Sequence, residues 1–355
     1  MSRFLSGRFA ALKEYIPGEQ PRDMQYIKLN TNESPFPPSP LVLERVSAAE
    51  VARLNLYSDP TAKDLREKLA GHYGVDAGNV VVGNGTDEIL AFCFMAFCDA
   101  ERGIAFPAVS YGFYPVFTQL YGLQGVQVPL QPDFTIRAAD YFGLGKNIVI
   151  ANPNAPTGTV LTPTEIAEIA RTNPDTVVII DEAYVDFGAE SALSLTREYE
   201  NLLIVQTYSK SRSLAGGRLG YAVGDRALIA DLEKIRNSFN PYNVNRLTLI
   251  AGVAAIDDQA YYDRRCREIA ENREDTAQRL RALGFTMTDS KANFLFAAHP
   301  GFSGKTLLTK LREKGILVRH FDKPGISDYL RITIGTKEQM DAVVTAARAI
   351  LKEAE

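Results

Sequence analysis

The chain has 355 residues but only three histidines and three cysteines. His72, His299 and His320 lie far apart, so neither a zinc site nor a Ser-His-Asp triad has material here, and no metal is expected. Cys93, Cys98 and Cys266 cannot all pair and none stands in a CxxC, which excludes a disulfide scaffold and fits a reducing cytosol. Long apolar runs are missing as well. The longest, Ile89 to Cys98, spans ten residues, too few to cross a bilayer, and reads as a buried helix. Ser2 to Glu14 lacks the hydrophobic core of a signal peptide, so a cytoplasmic protein without a membrane partner is expected. There is no excess of positive charge: the net charge is −4 and the sequence pI 5.6, which leaves no nucleic-acid footprint. Internal repeats and low-complexity tracts are absent. What remains is 46% apolar and 23% charged, the balance of a globular protein with a sizeable core.

Pro35, Pro37, Pro38 and Pro40 fall within six positions, so the second half of residues 1–48 reads as extended arm or loop, not helix. A helical period begins at Leu65-x-x-x-Leu69 and should stop at Gly71 or Gly74. Short β-branched runs then alternate with helical stretches: Val80–Val82, Gly103–Phe106, Val126–Pro129, Asn147–Ala151, Thr176–Ile180, Leu202–Gln206 and Tyr221–Val223. Thr162, Pro163 and Glu165 announce a capped helix between the fourth and fifth runs. Such alternation predicts an α/β fold with a mostly parallel sheet, covered on both faces, and ligands at the carboxyl ends of its strands. Asp258 to Leu283 reads as a long charged helix, and a smaller α/β pattern follows it. The expected division is an arm and part of the small domain (1–48), a large domain (49–257) and a small C-terminal domain (258–355).

Five features fall at predicted strand ends. Gly83-Asn84-Gly85-Thr86-Asp87-Glu88 offers free N–H groups, a hydroxyl and a helix start, which together make an anion cup. Tyr111, in Ser110–Tyr114, can present a flat face to a ring. Asn152-Pro153-Asn154-Ala155-Pro156-Thr157-Gly158 is a rigid turn that aims an asparagine. Asp181 ends the apolar strand Val177–Ile180, where a carboxylate is costly to bury without a cation or strong donor. Lys210 follows Ser209 after another apolar strand, with Arg218 in the Gly-rich loop beyond. Desolvation or a cationic neighbour would depress a lysine there and make it a Schiff-base former. Asp181 and Lys210 are one β-α-β step apart and can sit on neighbouring strand ends. An amine, a buried carboxylate, a nearby tyrosine (Tyr184), a flat aromatic and a phosphate cup are together what a phosphorylated pyridine aldehyde requires.

The order Gly-x-Gly-Thr-Asp-Glu, Pro-x-x-Ser-Tyr, Asn-Pro-Asn-x-Pro-Thr-Gly, Asp-Glu-Ala-Tyr, Ser-Lys and Gly-Gly-Arg resembles the fold-type-I aminotransferases over nearly the whole chain. Tyr15–Gly18, Lys28–Pro35, Tyr57–Pro60, Val318-Arg319 and Leu330–Thr336 resemble the histidinol-phosphate aminotransferase branch of class II. The resemblance implies pyridoxal 5′-phosphate as cofactor. It implies that Lys210 bonds the cofactor and shuttles the proton, that Asp181 faces the pyridine nitrogen, and that Tyr184 donates to the phenolic oxygen. Tyr111 would stack on the ring, Gly85, Thr86, Ser209 and Arg218 would hold the phosphate, and Asp87 would be a further cofactor-binding residue. Tyr57 would reach that phosphate from the partner in a homodimer. Tyr15, Asn32, Arg319 and Arg331 would meet the substrate, with the arm closing across the dimer. One departure stands out: the family's usual asparagine before Pro-Thr-Gly is Ala155 here; Asn154, one place earlier, stays a candidate site, and Tyr184 is expected to carry that contact with the phenolic oxygen.

The reaction implied is amino transfer between L-histidinol phosphate and 2-oxoglutarate, with imidazole acetol phosphate and glutamate as products. An aromatic amino-acid aminotransferase and a threonine-phosphate decarboxylase would use the same scaffold and arginines. A cofactor-sensing regulator would need a DNA-binding domain, for which there is no room before the first motifs.

Overall fold

The computed structural model describes residues 4–353. Its centre is a seven-stranded sheet in the order Val80–Gly83, Gly220–Gly224, Leu202–Thr207, Val178–Asp181, Asn147–Ala151, Ile104–Pro107, Gly125–Val128. Neighbours pair in parallel except Gly220–Gly224, which runs antiparallel to both of its partners. The inner strands carry no polar face because both faces are covered. Val80, Val82, Ile148, Ile150, Val178, Ile180, Leu202 and Ile204 face one helical layer, which includes Leu65, Leu69, Ile166 and Ile169. Val81, Val149, Ile179, Leu203 and Val205 alternate with them and face Ile89, Leu90, Phe94, Ile229 and Leu232.

The ten-residue apolar run lies in helix Thr86–Phe97, buried against that second face. Thr162 and Glu165 close a capping box on helix Pro163–Thr172, as their spacing predicts. The helix begun by the Leu65 pattern runs Lys63–Tyr73 and ends at Gly74 with φ 64°, a left-handed stop that glycine adopts at little cost.

The long helix Gln259–Arg281 packs on a four-stranded antiparallel sheet ordered Arg319–His320, Leu330–Thr333, Phe294–Ala298, Thr286–Met287. Leu29 from the arm, with Ala155 and Tyr184 from the strand ends of the large sheet, shares the core of this second unit. Two sequence expectations need correction. Pro40 opens a short helix, Pro40–Arg45, because a proline in the first turn loses no hydrogen bond and Ser39 caps Val42. The expected strand Ile316–Arg319 divides: Ile316–Leu317 pairs in parallel with Ile27–Lys28, and Arg319–His320 joins the antiparallel sheet. Only the long-range partners decide that division.

Candidate active site

The parallel strands end along one edge, where Ala151 is level with Asp181 and Asp181 with Val205. A cavity of about 400 Å³ opens there, lined among others by Thr86, Asp87, Tyr111, Asp181, Tyr184, Ser209, Lys210 and Arg218. Residues distant in sequence complete it: Tyr15, Asn32, Arg319 and Arg331.

Lys210 donates from Nζ to the Thr31 carbonyl at 3.2 Å and stands 5.8 Å from the Tyr184 ring centre. No carboxylate touches it. Burial lowers its pKa to about 8, and the Arg331 and Arg218 charges push the same way against Glu33 and Asp87. Asp181 is 4% exposed. Tyr114 Oη donates to its Oδ2 at 3.1 Å and the Ala183 amide to its Oδ1 at 3.2 Å. Its partners are thus a hydroxyl and an amide, not a cation, and burial pushes its carboxyl up to about 7. Tyr184 accepts a 3.0 Å hydrogen bond from Asn32 Nδ2. Asn32 is itself locked: its amide donates to Thr333 Oγ1, the Thr333 hydroxyl returns a bond to Oδ1, and Asn293 donates to its carbonyl. The small sheet therefore orients a tyrosine that belongs to the large one.

Thr86, Ser209 and Arg218 of the expected phosphate cup meet in the cavity wall. Gly85 caps helix Thr86–Phe97 at φ 82° without any side-chain cap bond, which leaves the first N–H groups open to an anion. A Cβ on Gly85 would fall 2.7 Å from Arg218 Nη2, so the guanidinium lies directly over the turn. Arg218 Nη1 donates to Ser209 Oγ at 3.4 Å and Nη2 to Asp87 Oδ2 at 3.3 Å. Asp87 also accepts from Tyr111 Oη at 2.6 Å, which ties the flat aromatic to the cup.

In the same cavity lining, Arg331 donates from Nη2 to the Asn30 carbonyl at 3.1 Å and its buried Nε has no partner. Phe294 and Phe321 flank its guanidinium at 5.5 and 5.6 Å. Arg319 donates to the arm carbonyls of Ile16 and Pro17 at 2.9 and 3.2 Å. Tyr15 stacks on Phe113, 4.4 Å between centres at 25°. The arm therefore lies against the cavity of its own chain, with Tyr15 in its lining.

Two other expected residues lie outside the cavity. Asn154 is fully buried; it accepts from Ser110 Oγ at 2.7 Å and donates to Val109 O and Thr157 Oγ1 at 2.9 Å each. Its amide braces the turn in these bonds, and Ala155 lines the cavity. Tyr57 is 79% exposed and stacks on Tyr242. Sequence reasoning passed over Tyr114, which lies in the first turn of helix Phe113–Tyr121, just after Tyr111. It also passed over the backbone groups of Asn30 and Thr31.

A buried amine, a buried carboxylate and an uncapped helix start, each without an oppositely charged protein partner filling it, fit an aldehyde, a basic ring nitrogen and a phosphate. The family model for aminotransferases of class I and II matches residues 24–346, and the chain belongs to that family. It is an enzyme that uses pyridoxal 5′-phosphate. Within the class its relatives bear a narrower name. It is 49% identical to a histidinol-phosphate aminotransferase of Brachyspira hyodysenteriae, over 99% of this chain and 100% of the relative. It is 50% identical to histidinol-phosphate aminotransferase 1 of Bordetella parapertussis, over 99% of each. In fold it is similar to the histidinol-phosphate aminotransferase of Sinorhizobium meliloti, solved with pyridoxal-5′-phosphate. That match has a TM-score of 0.86, at 23% identity over 93% of this chain and 92% of that one. Among the described residues no helix is long and apolar enough to cross a membrane, and no cluster could hold a metal.

Proposed function

We propose that the protein transfers the amino group of L-histidinol phosphate to 2-oxoglutarate, giving imidazole acetol phosphate and glutamate in histidine biosynthesis. The observation that carries this reading is that one cavity is lined by two sets of cationic groups. Arg218 lies over the uncapped helix start, and Arg331 and Arg319 join the same wall from the small sheet. The first set takes the cofactor phosphate. The second is left for an anionic substrate tail, which is a phosphate ester in one half-reaction and a carboxylate in the other. A planar guanidinium matches both. The names of the full-length relatives agree with this choice.

When bound, pyridoxal phosphate supplies the electron sink for deprotonation at the substrate α-carbon. Lys210 holds the cofactor and then moves the proton at that carbon, a task suited to an amine titrating near neutrality. Asp181 keeps a proton on the ring nitrogen, Tyr184 hydrogen-bonds the phenolic oxygen with Asn32 behind it, and Tyr111 stacks on the ring. Gly85, Thr86, Asp87, Ser209 and Arg218 form the phosphate cup. Tyr15 and the arm cover the substrate and exclude water.

The active unit is a homodimer in which Tyr57 reaches the partner's cup. Leu43, Leu54, Leu56, Tyr57 and Phe239, each at least half exposed, support this as the apolar surface a second copy would cover. Three free cysteines, two of them buried, fit a cytoplasmic enzyme. The chain divides as arm, large domain and small domain near residues 48 and 257. The substrate test is a donor panel. Histidinol phosphate should exceed phenylalanine and glutamate in kcat/KM as donor; a phenylalanine preference would assign the aromatic reaction instead.

A further inference from the structure

We propose that Tyr114 is a positioning residue for this reaction: its buried hydroxyl aims the Asp181 carboxylate and keeps it ionised. The inference deepens the reading above, since it rests on Asp181 meeting the cofactor ring.

Tyr114 is fully buried in the first turn of helix Phe113–Tyr121. Its ring is fixed by an edge-on contact with Tyr111 (5.7 Å, 85°) and a tilted one with Phe106 at 5.9 Å. The direction of its O–H is therefore set by packing, and Asp181 Oδ2 is where it goes, at 3.1 Å. The backbone of Ala183 holds the other oxygen. Each carboxylate oxygen thus has one protein donor, and the group can rotate only by breaking one of them.

The same bond bears on charge. The ionisable groups facing Asp181 are Asp87 and Cys93 from helix Thr86–Phe97, Lys210 and Tyr184 from the strand-end loops, and Tyr114 itself. Burial is the largest influence and pushes the carboxyl up to about 7; Asp87 adds to it, while Tyr114, Ala183 and Lys210 oppose it. Tyr114 is the foremost opponent. Its own phenol is held well above the usual range by burial, so it remains a donor at every working pH. The Tyr114 hydrogen bond therefore favours the charged carboxylate that the ring nitrogen needs.

The test is Tyr114→Phe in the full-length protein, which removes one oxygen and keeps the ring. Loss of a hydrogen bond to a charged group should weaken pyridoxal phosphate binding to the apoprotein about tenfold at pH 7. The deficit should shrink as pH rises towards 9, because alkali restores the carboxylate. In the holoenzyme kcat should fall while KM for the amino donor stays. Combined with Asp181→Asn, the substitution should add nothing further. Additive losses, or a binding deficit that does not vary with pH, would overturn the proposal. An Asp181→Asn enzyme with normal affinity and turnover would refute the role of Asp181 itself. An impaired Asp181→Asn enzyme beside an unimpaired Tyr114→Phe enzyme would remove only Tyr114. If Asp181→Asn does not fold, as circular dichroism would reveal, the pH profile of Tyr114→Phe decides alone.

Discussion

Lys210 should capture its cofactor with a pH midpoint near 8, and Arg331 should be part of the reason. Only the neutral amine attacks an aldehyde. Burial brings the Lys210 ammonium from its ordinary 10.5 down to about 8, and Arg331 is the next largest influence. At pH 7 an amine titrating near 8 is neutral in roughly one molecule in ten, against about one in three thousand for one at 10.5, a gain of roughly 300-fold. The assay mixes apoprotein with pyridoxal phosphate between pH 6 and 10, follows the rate of covalent capture by absorbance, and fixes the bond with borohydride. Arg331→Gln should raise the midpoint by about half a unit to one unit, because a like charge is gone. No amino donor is present, so this separates the arginine's field from any grip on substrate. The sign of the stability effect follows from the same shift. A lysine with a lowered folded pKa penalises the folded apoprotein while both states are protonated, below pH 8. The penalty fades as pH rises to 10.5, where the unfolded chain also loses its proton. Lys210→Met should therefore stabilise the apoprotein at pH 7 by at most about 3 kcal/mol, since cavity water screens part of the charge, and by little at pH 10.5. A capture midpoint near 10, a midpoint indifferent to Arg331→Gln, or capture surviving in Lys210→Ala would refute the reasoning.

Gly220→Ala should damage the phosphate cup from behind. The added Cβ would lie 2.7 Å from Thr86 N and 2.8 Å from Gly85 C, both backbone atoms. The expected cost is about 1–3 kcal/mol in unfolding together with weaker cofactor binding; unchanged affinity in a cofactor titration would show that the cup tolerates the shift. Leu54→Asp with Leu56→Asp, on the exposed apolar surface near Tyr57, should convert the proposed dimer to monomer in sedimentation and reduce cofactor affinity with it. A persistent dimer would place the interface elsewhere.

Much of the sheet could be read locally. Apolar runs at Val178–Asp181 and Leu202–Thr207 are buried on both faces, and such strands announce themselves by composition. Asp181 and Lys210 were conspicuous because each is a charged residue at the end of such a run. Tyr114 was not, because an aromatic in a helix facing the sheet has the same local pattern whether it merely packs or donates to a carboxylate. Asn154 was left open because its neighbours along the chain, two prolines and a glycine, show a rigid turn but not which way the amide faces. Ser110 and Val109, some forty residues earlier, take up that amide.

By itself, then, the order of residues determined the alternation of strands and helices, the charged groups at strand ends and the glycines beside them. These depend on period, chirality and turn chemistry within a few neighbours. Only the tertiary structure decided that Asn32 holds Tyr184, that the arm lies over its own chain's cavity, and that Arg319 binds that arm. Each of these joins segments more than a hundred residues apart. Such partners are selected by the packing of whole sheets against one another, which no local pattern encodes.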